Sequence, residues 1–297
     1  MGRALLGRGE LRLGLAFFAV AGCDAAVGGA FGTWLPFALP VAALVVAWPW
    51  LGRTRAAPAL LDWLPFPLVI LTYEMLHALV PAVRPGSLLD PTLEAADRAL
   101  LGDHAGVLLE PLVTRPLTVL LACAYASYYV LPAALAVRWW RRDRRAFREL
   151  MVGETGALFV GYLGYLFLPA LGPHAALPPS TFGVPLEGDF IGAAIRSLNG
   201  AHGGAFPRDA FPSLHTANAV TLVLMAWRHE RRTLAVCAPL AAGIVAATVY
   251  LRFHYVMDVL AGAALAIAFQ PVAVWIVRNE QAPGARLQSD AHPESER

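Results

Sequence analysis

The sequence predicts an all-α fold, a polytopic transmembrane helical bundle of about eight spans. Three observations point there. Hydrophobic residues make up 58% of the 297 and charged residues only 15%, against about 25% charged in an average soluble domain. Apolar runs recur near the length of roughly 20 residues that a helix needs to cross a hydrocarbon core about 30 Å thick. The 23 basic residues, all arginine, collect in alternate connecting segments, as the positive-inside rule expects. The net charge of +2 is too small to suggest a nucleic-acid partner.

The candidate spans are 11–30, 35–51, 64–83, 116–137, 149–171, 213–227, 234–251 and 255–277. Arg3, Arg8 and Arg12 flank the first, which reads as a retained helix rather than a cleaved signal. Segment 84–115, with Asp90, Glu94, Asp97, Asp103 and Glu110, has the periodicity of an amphipathic helix lying at the interface. The Gly- and Pro-rich stretch 172–212 reads as a long loop of the kind that forms lids or binds. The tail 279–297 is polar and reads as disordered. Three regions result: N-terminal transmembrane helices over 1–83, a core over 84–278, and the tail.

If the spans alternate, Arg53 and Arg55, the run Arg138–Arg148, and the run Arg228–Arg232 share one side with both termini. That side is expected to be cytoplasmic in a multi-pass plasma-membrane protein. Segments 84–115 and 172–212 then lie on the extracytoplasmic face. Cys23, Cys123 and Cys237 each sit alone in an apolar run, with no disulfide or metal-ligand spacing, and are expected to be small core residues. Glu74 and His77 are expected to act as polar glue, pairing with each other or with another helix. Glu154 is expected to snorkel at the cytoplasmic end, Trp139 and Trp140 to join an interfacial belt, and Tyr128 and Tyr129 to pack more deeply.

Two stretches carry chemistry. Phe211-Pro212-Ser213-Leu214-His215 opens the sixth span, and His254-Tyr255-Val256-Met257-Asp258 opens the eighth, with Gly262 a turn later. Under the topology above both lie at the outer surface, so one cavity can receive a histidine from each. His254 and Asp258 are four apart and share a helix face. Asp258 can take the N–H of His254 and fix its tautomer, leaving the other nitrogen free to attack phosphorus. His215, protonated, suits the acid that a leaving alkoxide needs. Ser213 stands where an N-cap would be, and the N–H groups beyond it suit phosphate oxygens. Pro212 helps the helix start sharply.

Pro-Ser-x-His at 212–215 and His-Tyr-x-x-Asp-x-x-x-Gly at 254–262 resemble the second and third signatures of the type 2 phosphatidic acid phosphatase superfamily. Leu214 and the Phe-Pro-Ser-Leu-His context are more similar to the inositol phosphorylceramide synthase-like branch. Leu168-Pro-Ala-Leu-Gly-Pro-His174 resembles that branch's Pro-x-x-x-Pro-Arg element, with His174 in place of Arg. The resemblance spans roughly 90–277. It implies a six-helix core, a lipid phosphate substrate, no metal and no cofactor. It also implies catalysis by His254 as nucleophile, Asp258 as its partner and His215 as acid. Asp97 resembles an acid often seen before the core of this branch, where packing or capping is its expected role.

The chain departs from the family at the phosphate-binding basic residues. No Lys-x6-Arg-Pro signature exists, although His77 and Arg84-Pro85 show its spacing. Ala247 and Thr248 stand where the phosphatases have Ser-Arg. A transferring phosphoryl group needs cations or donors. Arg252 is the first candidate, and Arg208, Arg115 and Arg196 follow. Ser213 and His174 complete the expected phosphate ligands. The reaction is then phosphate-ester hydrolysis or phosphotransfer, with inositol-phosphate or polyol-phosphate transfer and isoprenoid pyrophosphate hydrolysis as variants. The alternative of another class is a transporter or a non-catalytic lipid-binding protein, which would reuse the polar residues as a path or pocket. The oligomeric state is not legible.

Overall fold

The computed structural model describes residues 7–201 and 207–281. Arg3, the side chain of Arg196 and the tail beyond 281 lie outside the described residues. In chain order the helices are α1 Gly9–Val27, α2 Phe31–Leu51, α3 Ala57–Trp63, α4 Pro65–Val83, α5 Asp90–Leu101, α6 Ala105–Leu108 and α7 Arg115–Ser127. There follow α8 Leu131–Arg142, α9 Arg144–Phe167, α10 Pro173–Ala176, α11 Phe190–Ala201, α12 Leu214–His229, α13 Arg231–Tyr250 and α14 Val256–Gln281. No strand occurs among the described residues.

A helix occupies each of the eight predicted segments. Five (α2, α4, α9, α13 and α14) are long and apolar enough to cross a membrane, and α7 with α8 make a sixth as a pair bent by 41°. α1 falls short because Glu10, Arg12 and Asp24 lie within it. α12 has 16 residues, about 24 Å of rise, short of a full hydrocarbon core.

The bundle is organised around α9, which packs on α14, α12, α1, α4 and α8. Of its apolar window 72% is buried, against 11% for α2, most of whose surface no other helix covers. Asp143 starts α9 by accepting the amides of Arg145 and Ala146 at 3.0 and 2.9 Å. Phe147, Leu150, Met151 and Leu166 on α9 are fully buried. In hydrocarbon such contacts stabilise through close packing rather than escape from water.

One end of the bundle is tied by ion pairs. Arg148 links Glu10 of α1 to Glu280 of α14, with Nη2 at 3.0 and 2.8 Å from their carboxylates. Asp62 receives Arg8 at 2.9 Å, Trp140 at 3.0 Å, and Arg144. Glu149 meets Arg145 at 3.0 Å, Arg228 at 3.3 Å and His229 at 2.9 Å. The arginine-rich connections of the sequence are thus a set of knots between helices.

Several expectations need correction. Glu154 does not snorkel. It sits ten residues into α9, is 7% exposed, and lines a cavity of ≈ 40 Å³ beside Asn218 in the bundle interior. Trp139 is buried and donates to Glu230, so only Trp140 sits at the rim. Glu74 is exposed, and His77 packs its ring at 4.6 Å on Tyr73 instead of pairing with it. Cys23 and Cys123 are exposed and only Cys237 is buried, because an apolar thiol is as much at home against lipid as in a core. The stretch 172–212 is not one loop. It holds α10, a 3-10 turn at Pro179–Thr181, and α11, whose Ile191 and Ile195 pack near Leu117 and Leu121 of α7. That helix is hidden in the sequence by the Gly and Pro residues on either side of it.

Candidate active site

Both motif stretches lie at the end of the bundle opposite the ion-pair knots. Ser213 caps α12, its Oγ accepting the Thr216 amide at 3.3 Å and the Thr216 hydroxyl at 3.1 Å. The Ser213 amide donates to the Asp258 carbonyl at 3.0 Å, so the two motifs are joined through backbone. Gly262 makes that approach possible. A Cβ there would stand 2.1 Å from the Ser213 carbonyl oxygen, so any side chain would push α12 and α14 apart.

The start of α14 is held from outside by the interface helix. Asp97 on α5 accepts the amides of Val256 at 2.8 Å and Met257 at 3.0 Å, which satisfies donors that a helix start leaves unpaired. The capping role expected of Asp97 is therefore what its contacts show. Asp90, on the same helix, accepts the amides of Leu171 and Gly172, both at 2.9 Å, and the Tyr255 hydroxyl at 3.2 Å. α5 thus fixes the loop closing α9 and the loop opening α14 at once. Gly172, at φ 81, lies so close under Phe253 that a Cβ would come within 2.1 Å of its carbonyl oxygen.

On this frame the histidines converge. The rings of His215 and His254 have centroids 5.7 Å apart at 59°. His254 is 4% exposed, and its Nδ1 faces Asp258 Oδ2 at 3.3 Å, the long end of a hydrogen bond. The same Oδ2 accepts the Tyr255 amide at 2.9 Å, so the carboxylate is oriented by backbone as well. Asp258 Oδ1 is buried without a partner, as are both ring nitrogens of His215. His215 lies between the rings of Tyr128 at 4.2 Å and Tyr125 at 4.4 Å.

The candidate phosphate ligands are distributed unevenly. Arg252 follows α13 in a left-handed conformation at φ 67, which a non-glycine residue adopts at a cost of about 1–2 kcal/mol. Its guanidinium lies 4.0 Å over the Phe182 ring, donates to the Val184 carbonyl at 2.7 Å, and stands 3.6 Å from Glu110. Burial lowers the Arg252 pKa from its ordinary value while Glu110 opposes the shift, and the group remains a cation. Its Nε is buried without a partner. The His174 amide donates to the Arg252 carbonyl at 2.8 Å, and its ring meets Phe253 edge-on at 5.1 Å. Arg208 points elsewhere: its guanidinium donates to the carbonyls of Arg84 and Pro85. Arg115 is exposed at the start of α7.

Sequence reasoning missed the aromatic cradle of His215 and the strap at 182–184. Tyr125 and Tyr128 are three apart at the bend between α7 and α8, a spacing that in an apolar run reads as plain packing. Glu110 accepts the Gly183 amide at 2.7 Å and the Val184 amide at 3.3 Å, a contact across 73 residues that no local pattern announces. Among the described residues no group of three or more His, Cys, Asp or Glu side chains is placed to hold a metal ion.

Comparison with known proteins reaches the level of the family. The family model described as PAP2 superfamily matches residues 91–272, which takes in α5, both histidine motifs and most of α14. No curated protein and no solved structure gives a significant match. With a matching family model over more than half of its length and the paired histidine motifs inside the match, this chain belongs to the PAP2 superfamily, a family of membrane phosphatases that act on lipid phosphates.

Proposed function

We propose that the chain transfers or hydrolyses the phosphate of a lipid through a covalent intermediate on His254. The observation that supports this best is the pair of imidazoles 5.7 Å apart, one backed by a carboxylate and the other with both nitrogens unpartnered. Asp258 holds the proton on Nδ1 of His254, so the Nε2 lone pair attacks phosphorus. The P–N bond forms as the P–O bond to the leaving group breaks, and His215 gives that oxygen its proton. In the second half, His215 takes a proton from water or from an acceptor hydroxyl. The new P–O bond forms as P–N breaks. Asp258 stays ionised and stabilises the imidazolium of His254 on the way.

The phosphate oxygens are placed at the N-terminus of α12 beyond Ser213, with Arg252 as the cation and His174 beside it. Charge stabilisation of this kind commonly supplies a large part of such a barrier reduction. For Arg252 to reach the phosphate, Glu110 must give it up, so substrate and Glu110 compete for one guanidinium. No step is routed through a metal ion in this scheme. A chelator is expected to leave turnover unchanged, and vanadate, which mimics five-coordinate phosphorus, to inhibit. Loss of activity in chelator that a divalent ion restores would overturn this part.

The Leu214 context favours an acceptor hydroxyl of the inositol or polyol type over water, with isoprenoid pyrophosphate hydrolysis as the variant. Mass spectrometry of lipids after incubation with candidate donors, with and without inositol-containing acceptors, tests this. A new phosphodiester that forms only with the acceptor supports transfer; release of inorganic phosphate at the same rate in both arms establishes hydrolysis. If wild type and His254→Ala give the same background, the catalytic reading fails and a lipid-binding or transport role takes its place. The arginine-knotted end is placed in the cytoplasm of a plasma-membrane protein by the positive-inside rule. A cysteine introduced at the exposed Glu187 is then labelled from outside intact cells by an impermeant reagent, and protection there reverses the orientation.

A further inference from the structure

Far from the histidines, the parallel helices α12 and α14 leave a groove of ≈ 650 Å³ on the outer surface of the bundle. Its walls are one face of each helix, from Ile267 near mid-span to Arg228 and Arg278 in the last turns. Ile267 to Arg278 is eleven residues of helix, about 16 Å at 1.5 Å per residue, close to one leaflet's share of a hydrocarbon core about 30 Å thick. Trp227 and Trp275 flank the arginine end and are 57% and 63% exposed. Arg231 lies over Trp227 at 6.0 Å. Arg278 is exposed and has no ion-pair partner among the described residues, whereas Arg228 meets Glu149 at 3.3 Å. Across Leu224, a second, wholly apolar groove of ≈ 500 Å³ runs between α12 and α13.

We propose that this paired groove is a binding site for one anionic phospholipid of the leaflet opposite the catalytic end. The occupant is argued from charge and length together. A headgroup phosphate fits between Arg278 and Arg228 at the depth set by the two tryptophans, where aromatic side chains meet the headgroup region. The two acyl chains then descend on either side of Leu224, one in each groove. Basic pockets between transmembrane helices select anionic headgroups in this way. A partner transmembrane helix would cover the apolar walls but would leave the Arg278 charge uncompensated. The site is separate from the histidines: Arg228 is thirteen residues along α12 from His215, about 20 Å.

Native mass spectrometry of the detergent-solubilised full chain, titrated with phosphatidylglycerol and with phosphatidylcholine of the same acyl chains, tests the proposal. The first phosphatidylglycerol is expected to bind about tenfold tighter than phosphatidylcholine, a difference of 1.4 kcal/mol. Arg278→Gln should reduce that preference severalfold. Trp275→Ala should weaken both lipids. Arg141→Gln, an exposed arginine at the same end but on α8, should change nothing. Measuring the same series on His254→Ala separates this site from any substrate binding, because a catalytic-site lipid would not respond to Arg278. An undiminished preference in Arg278→Gln overturns the proposal, as does an equal loss in Arg141→Gln, which would mean diffuse attraction to a basic surface. Occupancy by a second copy of the chain, seen as dimers that phosphatidylglycerol does not dissociate, also overturns it.

Discussion

The two ends of the bundle differ in how completely their buried polar groups are partnered, although Asp90 and Asp97 at the histidine end are as fully held as any. At the arginine end, Asp62, Arg148 and Glu149 are buried or nearly so, and each is held by two or three partners drawn from other helices or neighbouring turns. At the histidine end, both nitrogens of His215, Asp258 Oδ1 and Arg252 Nε are buried with no partner. A buried polar group left with no partner at all costs roughly 1–3 kcal/mol, so the protein leaves these atoms to be satisfied by water or a ligand. The contrast separates an end that holds helices together from an end whose free hydrogen-bonding groups are, in the function proposed above, those that meet the phosphate. Function is drawn from local instability of this kind, and stability from the opposite pole.

The largest effect that could break this comparison is on turnover. His254→Ala is expected to lower kcat by on the order of 10⁴-fold or more, as loss of a nucleophile does, with an unchanged melting temperature. A near-normal rate would remove it from the mechanism. Asp258→Asn is expected to cost about 10²–10⁴-fold through the wrong tautomer of His254. His215→Ala should cost about 10²–10⁴-fold on a lipid phosphate. It should cost far less on p-nitrophenyl phosphate, whose leaving group departs without a proton. An equal loss on both substrates would assign His215 to positioning instead of proton transfer.

Next in size are opposite effects on stability. Arg148→Gln leaves Glu10 without its cation and Glu280 with only the more exposed Arg12 at 3.8 Å, and breaking such a buried pair commonly costs about 3–5 kcal/mol. A large fall in melting temperature is expected, with kcat of the surviving folded protein close to wild type. His215→Phe removes two unsatisfied nitrogens from between Tyr125 and Tyr128 and keeps an aromatic ring there. Its melting temperature is expected to be equal to or above wild type while activity is lost. If His215→Phe destabilises as much as Arg148→Gln, the histidine end is structural and the contrast collapses.

The sequence made the helices and the contact between His254 and Asp258 legible because both leave local signals. Spans show as composition over about 20 residues, and the i, i+4 spacing of His254 and Asp258 states its own geometry. Asp97 was legible only through the family resemblance, as an acid that packs or caps, and the fold shows that the helix it caps is α14, across 159 residues. What stayed hidden is what depends on pairing between distant segments. Glu154 looked like an interfacial acid because depth in a bundle is set by which face of α9 meets α12, and α9 is buried on nearly all faces. Trp139 was hidden for the same reason, since its partner Glu230 lies 91 residues away. Arg252 was legible as a neighbour of His254 but not as a residue stacked on Phe182 and facing Glu110, because the strap 182–184 is placed by backbone amides with no side-chain signature.

The smallest effect expected is at Glu230, where the arginine end meets solvent in the turn between α12 and α13. The hydrogen bond from Arg138 holds the Glu230 carboxyl at about 2, below its ordinary value of 4.5, against the opposing effect of burial. A carboxyl whose folded pKa is depressed contributes stability that is present above the unfolded value. That contribution fades as pH falls from there through the folded value. Glu230→Gln should therefore melt slightly below wild type at neutral pH, and the gap should close as pH falls through this window. The gap should also shrink in high salt, because the pair is partly exposed and screened. Melting curves of both proteins across that pH range decide the point. A gap that stays constant down to the lowest pH would mean that Glu230 acts through its hydrogen bond to Trp139 and the shape of the turn. The arginine end would then owe this contact to geometry instead of charge.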